Sequence, residues 1–125
     1  MIHLDTCFLI RGLVKGSPED RLLRKWLRTE TPLAMSAVSW TEFLCGPVEL
    51  GEIELASNFV GARVPFRSQD SSMAARLFNH AGRRRGSLVD CMVAAVAIGS
   101  GAELATSDLA DFARLEPFGL KLLSE

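Results

Sequence analysis

The chain has 125 residues, of which 48% are hydrophobic, and a formal net charge of -1; it is the size of one compact domain with one core, expected over residues 1–125. That charge balance excludes whole-molecule electrostatic attraction to nucleic acid. No apolar run reaches membrane-spanning length, and "MIHLDTCFLI" has no basic region or cleavage site of a secretory signal, so a soluble, cytoplasmic protein is expected.

In chain order, "MIHLD" reads as a short buried strand, and "TCFLIRGLV" turns away from it. In "SPEDRLLRKWLR", Ser17 can cap, Pro18 fits the first helical position, and Leu22, Leu23, Trp26 and Leu27 form a helical stripe. "PLAMSAV" is a second strand, "SWTEFLCG" a short helix ended by Gly46, and "VELGEIELASNFV" a further helix despite Gly51. "ARVPF" is a candidate third strand, followed by a helix over "SQDSSMAARLFNHAG" with Met73, Leu77 and Phe78 inward. "SLVDCMVAAVAIG" is the most apolar helix, "AELAT" a strand, "SDLADFARL" a helical turn and "LKLL" a last edge strand. Strands alternating with helices predict an α/β fold around a mostly parallel sheet with helices on both faces.

Within the most apolar helix one position is out of character. Between Leu88 and Ile98 every residue is apolar except Asp90. An isolated buried carboxylate neutralises, finds a partner or binds a metal. Three more acids stand where strands give way to helices: Asp5, Glu42 and Asp108. In open parallel sheets ligands bind beyond the carboxyl ends of the strands, so these four can converge there. Each also has a structural explanation. Ser39-x-x-Glu42 and Ser87-x-x-Asp90 are capping-box patterns, and Asp5 and Asp108 can be helix N-caps. Capping puts acids at helix starts but does not require that four of them meet at one sheet edge. If they meet, they need a cation, and oxygen-only ligation selects a hard divalent ion, Mg2+ or Mn2+.

Cys7, Cys45 and Cys91 are an odd set without CxxC spacing, against a disulfide framework or a cysteine-built zinc site. Basic residues cluster between Arg11 and Arg28 and between Arg63 and Arg85. Arg83, Arg84 and Arg85, flanked by Gly82 and Gly86, repel one another unless an anion lies nearby.

"HLDTCFLI", "AVSWTEFLCG", "GSLVDCMVAAVAI" and "LATSDLADFARL", in this order and spacing, resemble the four acidic motifs of PIN-domain ribonucleases, and the length resembles that of VapC-like toxins of VapBC toxin-antitoxin systems. The resemblance implies a three-layer α/β/α fold and a Mg2+- or Mn2+-dependent endoribonuclease, dimeric and inhibited by a cognate VapB-like antitoxin. It assigns Asp5, Glu42, Asp90 and Asp108 to the acidic, metal-binding quartet, and Thr6 and Thr106 to polar positions that orient ligands or water. Many relatives carry asparagine where Asp108 stands, and Asp111 can share the fourth role. RNA approaching these charges needs cations along its backbone, for which Arg11 and Arg83, Arg84 and Arg85 are the candidates.

Other readings are a non-catalytic PIN-like RNA- or protein-binding module whose acids only cap helices, and an aspartyl phosphoryl-transfer domain with Asp5 as nucleophile. The second fits poorly, because Cys7 stands where dehalogenase-type phosphatases need an aspartate.

Overall fold

The computed structural model describes residues 1–123, so the last two positions of the expected 1–125 domain lie outside the described residues. The strands are β1 (Ile2–Leu4), β2 (Leu33–Ser36), β3 (Ala62–Val64), β4 (Glu103–Ala105) and β5 (Lys121–Leu122). They form one sheet in the order β3-β2-β1-β4-β5, and every pairing is parallel. The helices are α1 (Thr6–Gly12), α2 (Pro18–Arg28), α3 (Ala37–Cys45), α4 (Leu50–Phe59), α5 (Ser68–His80), α6 (Leu88–Gly99) and α7 (Leu109–Ala113), with a 3-10 turn at Glu116–Phe118.

Alternation along the strands divides the core between the two faces. Ile2, Leu4, Leu33 and Met35 pack with Phe8 and Leu9 of α1, Leu23 and Trp26 of α2, and Phe43 of α3. On the other side Leu104 joins Ala74 and Leu77 of α5, Val93, Ala94, Ala95 and Ala97 of α6 and Phe112 of α7. The result is the expected three-layer α/β/α arrangement, with a sheet that is wholly parallel.

Strand order sets the place where a site can form. From β1 the chain winds outward through β2 and β3, whereas β4 and β5 lie on the other side of β1. The order reverses between β1 and β4, and a crevice opens at the carboxyl ends of strands flanking such a switch point. Asp5 follows β1 and Thr106 follows β4.

Several local expectations change. "TCFLIRG" does not merely turn away; it is helix α1, because Asp5 caps it by accepting the Phe8 N–H at 2.8 Å. Neither capping box forms. α3 starts earlier than the Ser39 pattern implies, with Ser36 as its cap accepting the Ser39 N–H at 3.0 Å, so Glu42 sits inside the helix. The Ser87 hydroxyl donates instead to the Arg84 carbonyl at 2.6 Å, and no side chain caps α6. Asp108 precedes α7 without capping it. The Ser17 cap and Pro18 at the first turn of α2 are as expected. Leu27 of its stripe, however, is exposed.

Candidate active site

Asp5, Glu42, Asp90 and Asp108 line one cavity of about 200 Å³, together with Thr6, Cys7, Val93 and Phe112. Each acid arrives by a different route. Asp5 is fixed at the end of β1 by its capping bond, and Glu42 projects from the interior of α3. Asp90 lies in the first turn of α6, and Asp108 at the turn into α7. The first turn of α6 is at the surface, with Leu88 and Val89 exposed, so the apolar run containing Asp90 is less buried at its start than its composition implies.

The two threonines hold the carboxylates. Thr6 Oγ1 lies 3.0 Å from Glu42 Oε1 and 3.1 Å from the Ser39 carbonyl, within donating distance of both. Thr106 Oγ1 donates to Asp5 Oδ2 and accepts the Asp108 N–H at 2.9 Å. Asp5 is therefore bonded through both oxygens, to the Phe8 N–H and to the Thr106 hydroxyl.

Burial raises the Asp5 pKa from 3.8 to about 6, with the Asp108 and Asp90 charges adding to the rise and the Thr106 and Phe8 bonds opposing it. Asp90 is also pushed up to about 6, first by burial and then by Asp111, Glu42 and Asp108, against a smaller pull from Arg114. The centre thus holds more negative charge than it stabilises by itself. Burial, with Asp5 and Asp108 beside it, lifts the Cys7 thiol to about 11. Its Sγ lies 3.8 Å from Asp108 Oδ2. In the metal-free protein Cys7 is a neutral thiol. Cys91 is buried in the core and Cys45 does not line the cavity.

Among the described residues, no three His, Cys, Asp or Glu side chains are grouped closely enough to grip a metal ion as they stand. Carboxylates spaced around this cavity fit a hydrated hard cation. Such an ion keeps several waters and is bound through one or two carboxylates rather than a tight protein cage.

A family model described as PIN domain matches residues 2–116. The chain belongs to the PIN domain family. No curated protein matches the sequence at a significant level. Among solved structures, a chain of VapBC2 from Rickettsia felis, bound to a DNA fragment from its promoter, is 18% identical, with 98% of each chain covered and a TM-score of 0.77. A chain of VapBC-1 from nontypeable Haemophilus influenzae is 21% identical over 99% of this chain and 98% of that one, with a TM-score of 0.71. VapC20 of Mycobacterium tuberculosis, described as a sarcin-ricin loop cleaving toxin, is 17% identical over 90% of this chain and 94% of its own, with a TM-score of 0.65. At these identities the likeness establishes a shared fold.

The remaining candidates of this PIN domain separate. Asp111 does not line the acidic cavity; its Oδ1 sits 3.3 Å from Arg84 Nη1. The arginine triplet therefore has the nearby anionic partner that its charge calls for, supplied within the chain by Asp111. Arg83 turns back onto α5, where Nη1 donates to Asn79 Oδ1 at 2.6 Å. Arg11 borders a different hollow, with Phe8, Glu19, Thr106 and Ser107. Sequence reading passed over Arg114, which carries the positive charge acting on Asp90. No described helix is long and apolar enough to cross a membrane.

Proposed function

We propose that this PIN domain is a metal-dependent endoribonuclease, the VapC-like toxin of a VapBC-type pair. The observation that carries the reading is the meeting of four carboxylates, drawn from four separate parts of the chain, in one cavity at the switch point of a parallel sheet. Two of them are held far from their ordinary acidity there.

Asp5 and Asp90 would hold Mg2+ or Mn2+, with Glu42 and Asp108 completing its surroundings directly or through water. When bound, the ion supplies a polarised phosphate and a more acidic water. Asp5, locked by two hydrogen bonds, is a fixed anchor. Glu42 is oriented by Thr6 and exposed to solvent, which suits a group that accepts a proton from an attacking water. No side-chain nucleophile is required.

The structural likeness to VapBC complexes supports a VapB-like antitoxin as the partner. A homodimer acting in the cytoplasm completes the proposal. The deciding experiment is RNA cleavage by purified, antitoxin-free protein with Mg2+, with Mn2+ and with chelator, beside Asp5→Asn as the contamination control. Cleavage that needs the ion and vanishes in the variant is the expected result. Cleavage that ignores both, or no cleavage at all, overturns the reading in favour of a non-catalytic module.

A further inference from the structure

Next to the acidic cavity lies a smaller one of about 110 Å³, lined by Arg84, Arg85 and Arg114 together with Asp90 and Asp111. Asp90 borders both cavities. Three guanidinium groups around one small hollow repel one another unless negative charge lies among them. Part of that charge is internal, in the Asp111 carboxylate beside Arg84. Both partners are solvent-exposed, 62% for Arg84 and 37% for Asp111, so the pair is screened and exchangeable.

Arg114 is held differently. Its Nε donates to the Asp111 carbonyl at 3.0 Å and its Nη1 to the Ala81 carbonyl at 3.1 Å. Its Nη2 is buried and has no hydrogen-bond partner among the described residues. A planar guanidinium fixed by two carbonyls is held in one orientation, and Arg114 lines the hollow as a fixed positive charge. The two carbonyls belong to α7 and to the end of α5, so Arg114 also anchors the root of the arginine loop. That loop is shaped by left-handed backbone at Gly82 (φ 93°) and Gly86 (φ 82°), where a side chain would be strained.

We propose that this cavity is a phosphate subsite for the substrate RNA, in which a backbone phosphate neighbouring the scissile one is held by Arg84, Arg85 and Arg114 and displaces Asp111 from Arg84. The inference rests on the ribonuclease reading of the acidic cavity. An anionic oxygen already sits on Arg84 in the free protein, and a phosphate offers more charge and a bidentate match to guanidinium. The shared border at Asp90 puts this hollow beside the reaction centre. Asp111 is then a placeholder that keeps the arginine cluster together until RNA arrives. Arg83, engaged with Asn79, takes no part.

The test uses a single-stranded RNA that the wild-type protein cleaves, bound to the non-cleaving Asp5→Asn chain over a range of salt concentrations. Adding R84Q should weaken binding about tenfold and flatten the dependence of log K on log salt by about 0.7, the loss of one single-strand phosphate contact. Adding D111N should tighten binding several-fold. Because R114Q removes bonds that brace the fold, the decisive arm changes the RNA instead. Neutral methylphosphonates are placed one at a time along the strand. At one position beside the cleavage site the substitution should weaken binding, and R84Q should then have no further effect. If R84Q adds its full effect at every position, or if D111N weakens binding, the subsite is wrong. Cleavage without this coupling sinks the subsite alone; coupling on an RNA that is cut equally well with chelator sinks the metal dependence and leaves the subsite standing.

Discussion

The Thr106 hydroxyl donates to Asp5 Oδ2 across 101 positions of sequence, and the same oxygen accepts the Asp108 N–H. One side chain thus sets both the first acid and the turn that carries the last. Thr106→Val removes the donor from Asp5 and strands the Asp108 N–H. A loss of about 1–3 kcal/mol in urea unfolding is expected from the buried group left without a partner. Because the Thr106 bond lowers the Asp5 pKa, the variant should also raise it further above about 6. The acidic limb of the cleavage pH profile should then move to higher pH. An unmoved limb would show that Asp5 does not govern it.

Asp5 itself opposes folding in the metal-free protein. Its pKa is raised on folding, so the native state binds more protons than the unfolded chain between pH 3.8 and about 6. This contribution to stability is greatest below that window and is lost as pH rises through it. A rise of this size corresponds to about 3 kcal/mol. Asp5→Asn keeps a cap for the Phe8 N–H and removes the buried charge. It should unfold at a higher temperature than wild type at pH 7.5 without added metal, while losing cleavage. A lower melting temperature would show that the carboxylate's hydrogen bonds outweigh its burial.

Divalent cations should reverse that instability. Mn2+ at about 100 times its dissociation constant should stabilise the protein by about 2.7 kcal/mol through preferential binding to the native state. Thermal melts with Mn2+, Mg2+ and chelator read this directly. The increment should vanish in Asp5→Asn; an equal increment in both proteins would indicate binding elsewhere.

Thr6 acts on Glu42 rather than on the core. It is only partly buried, so Thr6→Val should leave the unfolding midpoint close to wild type. Loss of an orienting partner beside a metal site commonly costs 10–100-fold in affinity or activity, and a fall of about that size in cleavage is expected. Thr6→Ser, which retains the hydroxyl, should recover most of it.

Gly12 reports on the packing of α1 against α2. A Cβ there would lie 2.3 Å from Leu23 Cδ1, and Leu23 is fully buried. Gly12→Ala should therefore cost about 1–3 kcal/mol by overpacking. In a double-mutant cycle read by urea unfolding, Gly12→Ala should cost less in a Leu23→Ala background than in the wild type.

The layers of this fold were legible because apolar runs and helical stripes obey local rules, as at Leu23 and Trp26 of α2. Asp5, Asp90 and Asp108 were legible because each follows a strand or opens a helix, whereas Glu42, inside α3, was legible through the ordered motifs that carry the family resemblance. What escaped was set by tertiary packing. Ser36 rather than Ser39 caps α3 because β2 stops at Ser36, two residues short of the end of the expected "PLAMSAV" strand, and the helix begins at once. Asp108 and Asp111 could not be told apart by spacing; they part because the turn before α7 directs one into the acidic cavity while Arg84 draws the other away. Arg114 was missed because its neighbours come from the end of α5, remote in sequence.

The adjacency of β1 and β4 also bears on synthesis. A ribosome releases the amino-terminal acid early and the strand that flanks it late, so the cavity cannot be complete while most of the polypeptide is still being made. On the proposed ribonuclease reading this delay is protective: the nascent chain stays harmless to the machinery producing it until nearly all of it has emerged.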